Sequence, residues 1–173
     1  MATEAKDLGA VLDEALRYER KIRELYGEAA AATKQAEARA FYKNLERDEA
    51  SHVAYLEHKK AQWTKEGKVA FEPLGSPLPS PAAFEAAVAR SGASLAGHDI
   101  GGREEALARA LKAKEETTDF YKSLVGKVGG EAEKIFARFL EIEEGHSRIV
   151  RAELDLATRT GHWFDIREFD LED

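Results

Sequence analysis

All four prolines of this 173-residue chain fall in one short stretch, between Pro73 and Pro81. Proline lacks a backbone donor and clashes with the preceding turn, so it interrupts helices wherever it falls inside them. The chain on either side of that stretch is therefore free to be helical without a break. Both sides are rich in Ala, Glu, Lys, Leu and Arg, all good helix formers. Apolar residues recur there at helical spacing. The spacing predicts four helices, over Thr3–Ala32, Gln35–Lys65, Arg103–Val128 and Glu131–Thr160. Gly129 and Gly130 divide the last two, and Thr33 marks the joint between the first two.

Residues 68–102 separate the helices into two pairs. The first half of this linker is an extended Pro/Gly/Ser segment, and the second half is expected to hold a short helix near Ala82–Arg90. A helix of some thirty residues is about 45 Å long, at ~1.5 Å per residue. Roughly fifteen extended residues can span that distance. The linker can thus return the chain to the far end of the bundle, giving two antiparallel helical hairpins joined by a long crossover. A plain up-and-down bundle with a decorative insertion is the alternative.

Length suits a single domain, residues 1–173, with one sizeable core. The chain has no cysteine, which excludes disulfides, thiolate metal ligands and thiol nucleophiles. A net charge of −7, with basic residues dispersed among acidic ones, argues against a nucleic-acid partner. No apolar run approaches a membrane span, and the acidic, amphipathic N-terminus lacks the pattern of a signal peptide. The expected location is the cytoplasm. Nothing in the sequence suggests a nucleotide-binding loop or a serine triad.

The chemistry lies in a repeat. Glu49 and His52 on the second helix share the Glu-x-x-His pattern with Glu143 and His146 on the fourth. A spacing of three places carboxylate and imidazole one turn apart on one face, where both can reach one ion. The two motifs are offset by 94 residues, and at an offset of 95 "ALRYERKIRELY" matches "ALKAKEETTDFY". That second match aligns Glu19 with Lys114 and Tyr26 with Tyr121. Each hairpin thus offers one inward position on its first helix and Glu-x-x-His on its second, the pattern of carboxylate-bridged dimetal bundles. The two tyrosines are expected to pack in the core, with a hydrogen bond to the site as a second role. His58, His98 and His162 lack such a partner and are expected at the surface or in loops.

On these residues, together with Phe120–Tyr121 and the tail "GHWFDIREFDLED", the chain resembles the rubrerythrin branch of the ferritin-like superfamily over nearly its whole length. The resemblance implies an all-α, ferritin-like four-helix bundle with a short C-terminal tail. It implies non-haem iron, one or two ions per chain, with manganese or zinc as alternatives. Glu19, Glu49, His52, Glu143 and His146 fall on the family's metal-ligand positions. The implied activity is that of a peroxidase or ferroxidase, with peroxide, dioxygen or ferrous iron as substrate. Rubrerythrin proper carries a four-cysteine electron-transfer module that this chain lacks, so electrons are expected from a separate donor protein. Trp163, Phe164 and Phe169 in the tail are expected to cover an open side of the bundle or a homodimer contact.

Lys114 stands where the family has its fourth carboxylate, and the further position that can supply another Glu holds Thr117. An ammonium has no lone pair with which to ligate a metal. Three glutamates and one lysine sum to −2, which one divalent ion cancels and two overshoot. The expectation is one metal, or none, with the ammonium standing in for the second. A small helix rotation that turns Glu115 inward would restore two. The alternative function is a non-enzymatic iron-binding or interaction bundle that has lost two-metal chemistry.

Overall fold

The computed structural model of the chain describes residues 4–76, 80, 82–83, 86 and 103–160. Among these there are four helices and no strand: α1 (Glu4–Ala32), α2 (Ala36–Glu66), α3 (Arg103–Leu124) and α4 (Gly130–Thr160). This is an all-helical architecture consistent with a four-helix bundle. Most of the short helix expected at 82–90, the tail, His98 and His162 lie outside the described residues.

Helix ends follow local chemistry. The carbonyls left over at the end of α1 are taken up by side chains, since Thr33 donates to the Ala29 carbonyl (2.7 Å) and Arg39 to the Thr33 carbonyl (3.0 and 3.2 Å). At the end of α2, Gly67 adopts the left-handed conformation (φ 65°) and its N–H returns to the Trp63 carbonyl at 2.8 Å. α3 ends at Leu124, four residues before the expected Val128. The chain turns there through Gly126 at φ 82°, and the N–H groups of Lys127 and Val128 both bond the Leu124 carbonyl.

Two apolar clusters fill the interior. One gathers Ile22, Tyr26 and Ala30 of α1, Phe41, Tyr42 and Leu45 of α2, Leu107 and Ala113 of α3, and Ile149 and Val150 of α4. The other gathers Leu12 and Leu16 of α1, Val53 and Leu56 of α2, Tyr121 of α3, and Ile135, Phe136 and Phe139 of α4. α1 runs from the second cluster to the first, and α2 returns. α3 then starts again at the first cluster, so α2 and α3 run in the same direction. The segment joining them must travel back along the bundle.

Its described part does so on the α2–α4 side. The closely packed helix pairs are α1–α2, α3–α4 and α1–α3. Val69–Ser76 lies against α2 and α4, anchored alternately to each. Gln62 of α2 accepts from the Ala70 N–H (3.0 Å), and Glu131 of α4 from the Phe71 N–H (3.0 Å). Tyr55 donates to the Glu72 carbonyl (2.8 Å), Lys59 pairs with the Glu72 carboxylate (2.7 Å), and Arg138 donates to the Leu74 carbonyl (2.9 Å). No described helix is long and apolar enough to cross a membrane.

Candidate metal centre

Between the two apolar clusters every helix changes character at the same level. α1 contributes Glu19, α2 Asp48, Glu49 and His52, α3 Lys114, Thr117 and Thr118, and α4 Glu143 and His146, all buried. Burying so many ionisable groups is costly unless each is paired. The pairing is what the geometry supplies.

Glu19, Glu49, His52 and Glu143 form one group whose candidate ligand atoms all lie within 4.8 Å of one another, and this group could hold a metal ion. Nδ1 of His52 is 3.2 Å from Glu49, 3.4 Å from Glu19 and 3.7 Å from Glu143. His146 lies outside the group. Its Nδ1 instead faces the Lys114 ammonium at 3.3 Å. That ammonium also donates to both oxygens of Glu143 (2.9 and 2.8 Å) and makes a short contact with Glu49. The two imidazoles stack at 5.5 Å with their planes 8° apart. One half of the centre is therefore built around His52 and three carboxylates. The other half is built around His146, two of those carboxylates and Lys114.

Electrostatics follow from this placement. Burial opposes the charge on Lys114, but Glu143 and Glu49 outweigh it and hold the ammonium's pKa well above the ordinary value. Burial favours the neutral form of Glu49, yet Lys114 and His52 override it and draw its pKa well below the carboxylate range. For Glu19 the nearby His52 is too weak a counterweight. Burial, then the Glu143 charge, push it up to about 8. Burial disfavours charge on His52, while Glu49 and Glu19 more than compensate and raise it.

Tyr121 packs in the second cluster and also donates to Glu19 Oε1 at 2.5 Å, so it fills both expected roles. Tyr26, its counterpart in the repeat, packs in the first cluster, but its buried hydroxyl has no hydrogen-bond partner among the described residues. The mirror-image acceptor would be the residue at 114, and a protonated lysine offers no lone pair. Glu115 does not turn inward. It is exposed and pairs with Arg151 at 2.7 Å. Thr117 bonds the Ala113 carbonyl of its own helix, and His58 is exposed as expected.

Two residues of the centre went unrecognised in the sequence. Asp48 bonds His146 Nε2 at 2.9 Å, and the Ser76 hydroxyl donates to the same Asp48 oxygen at 2.8 Å. Asp48 was findable, since it stands four residues before His52 and so shares its helix face. Ser76 carried no signal within a proline-rich segment. Comparison of the chain with protein-family models, curated proteins and solved structures finds no match.

Proposed function

We propose that this chain is a rubrerythrin-like, ferritin-like bundle that holds one divalent transition-metal ion at Glu19, Glu49, His52 and Glu143, with the Lys114 ammonium in the position of a second ion. The observation that carries the reading is the Lys114 contact set. Its Nζ meets two carboxylates and the Nδ1 of a histidine, a set of lone-pair donors that suits a cation. The parallel run of α2 and α3 with a crossover on the α2–α4 side supports the ferritin-like arrangement.

The donor set fits the ion. Three carboxylates and one imidazole suit iron or manganese, with zinc a competitor. Charge supports a count of one: once an ion displaces the Glu19 proton, the carboxylates of Glu19, Glu49 and Glu143 with the Lys114 ammonium leave −2, which one divalent ion neutralises, while Asp48 is paired separately with His146. A bound iron ion would supply electron transfer to peroxide or dioxygen, or be itself oxidised from the ferrous state. The chain's own part is to hold the carboxylates with Lys114 and Tyr121, to keep a proton at Lys114 Nζ beside the ion, and to cover the α2–α4 side with the crossover. A separate donor would supply electrons, and a homodimer in the cytoplasm is the assembly and location we assign.

Anaerobic titration with ferrous iron, followed by metal counting on the desalted protein, tests this reading. One ion per chain supports it. No bound metal favours a second reading, an interaction bundle in which the Lys114 ion pairs alone satisfy Glu49 and Glu143.

A further inference from the structure

We infer that the chain's own tail, after Thr160, docks against the bundle as the crossover does, with Arg167 pairing the buried carboxylate of Glu153. The crossover supplies the pattern. α2 ends at Glu66, and Gly67 turns the chain away. Val69, Phe71 and Leu74 then pack against the second apolar cluster. Glu72, between the last two, pairs at 2.7 Å with Lys59 of α2, which is 0% exposed. A buried ammonium is tolerated only with such a partner.

The repeat carries the same plan into the second hairpin. α4 ends 94 residues after α2, so Gly161 matches Gly67. Lys59, seven residues after His52, matches Glu153, seven after His146. Glu153 is also 0% exposed. Past one inserted residue the offset becomes 95, the value that relates α1 to α3. There Val69, Phe71 and Leu74 match Phe164, Ile166 and Phe169, and Glu72 matches Arg167. Every apolar anchor is kept, and the ion pair is kept with its charges exchanged. Reversal of one member alone would set like charges together, so the paired reversal argues for one contact.

Position agrees with this. Lys59 lies at the end of the bundle filled by the second cluster. Glu153 follows Ile149 and Val150 and precedes Leu154, all packed in or against the first cluster. The tail thus covers the first cluster as the crossover covers the second. Thirteen residues lead from Lys59 to Glu72 and fourteen from Glu153 to Arg167, so the pairing closes within one chain.

Hydrogen exchange of the Ile166 and Arg167 N–H groups in the full, metal-free chain tests the inference, with thermal melting to confirm that each variant folds. Both groups should be protected in the unmodified protein. Arg167→Ala should accelerate their exchange about tenfold, the effect of one lost charge-assisted bond on a segment that opens locally. Glu153→Gln should do the same, and the two combined should add little, because they remove one interaction. Glu153→Lys with Arg167→Glu, which gives the tail the charges of the crossover pair, should regain protection lost in either single change. Exchange at the rate of an unfolded chain in the unmodified protein would overturn the inference. So would additive effects, or no effect of Arg167→Ala, which alters only the tail and leaves the bundle folded. Protection that falls on dilution would also overturn it, by placing the tail on a second copy.

Discussion

At the scale of single residues, Tyr26 and Tyr121 are a matched pair with unmatched surroundings. Both are fully buried, yet only Tyr121 has a carboxyl to donate to. Tyr121→Phe should destabilise the protein by about 1–2 kcal/mol, the usual range for a buried hydrogen bond to a carboxyl group. Tyr26→Phe removes a hydroxyl that is buried without a partner among the described residues and should leave stability unchanged or raise it by about 1 kcal/mol. Denaturant unfolding of the two variants checks the difference, and equal losses would mean that Tyr26 has an acceptor after all. The histidines differ in the same way. His52 belongs to the group that could hold a metal, and His146 faces the ammonium. His52→Ala should therefore lower metal content more than His146→Ala, and equal loss would show that both rings ligate.

At the scale of elements, the described part of the crossover is bound to α2 and α4 by hydrogen bonds and by Val69, Phe71 and Leu74, which pack against the second apolar cluster. Arg138→Ala removes the bond to the Leu74 carbonyl, worth about 1 kcal/mol. Exchange of the Ala70 and Phe71 N–H groups should then accelerate, while the buried turns of α2 and α4 stay protected. Uniform acceleration throughout the bundle would mean that the segment does not open separately. The helices themselves were legible in the sequence, because apolar spacing and the absence of proline act locally. Their ends were less so. α3 stops early because Gly126 can adopt a positive φ, and that choice depends on the turn into α4. Asp48 was visible in the spacing of its own helix, but its partner across the bundle was not. Ser76 could be placed only by the path of the crossover, which no local pattern encodes.

At the scale of the whole molecule, the two hairpins repeat one another and differ at two positions that matter. Lys114 occupies the position equivalent to Glu19 in the repeat, and Ile142 the position equivalent to Asp48. The Tyr26 hydroxyl and His52 Nε2, whose counterparts in Tyr121 and His146 bond Glu19 and Asp48, are both buried without a hydrogen-bond partner among the described residues. The repeat was readable from the sequence, and so was the misfit at 114. Pairing of this lysine with glutamates followed from the misfit, but its particular partners did not, because they lie on two other helices far from it in the chain. A buried lysine left unpaired would be strongly destabilising, whereas this one meets Glu49, Glu143 and His146.

The measurement that tests this account most directly is the metal count of Lys114→Glu beside the unmodified chain, after anaerobic ferrous titration. The substitution adds a carboxylate, removes an ammonium and gives the Tyr26 hydroxyl an acceptor. The unmodified chain should hold one iron and Lys114→Glu two, with the second lost again in Lys114→Gln, which restores no carboxylate. Two irons in the unmodified chain, or a count that Lys114→Glu leaves at one, would contradict the claim that this lysine stands in for a metal ion.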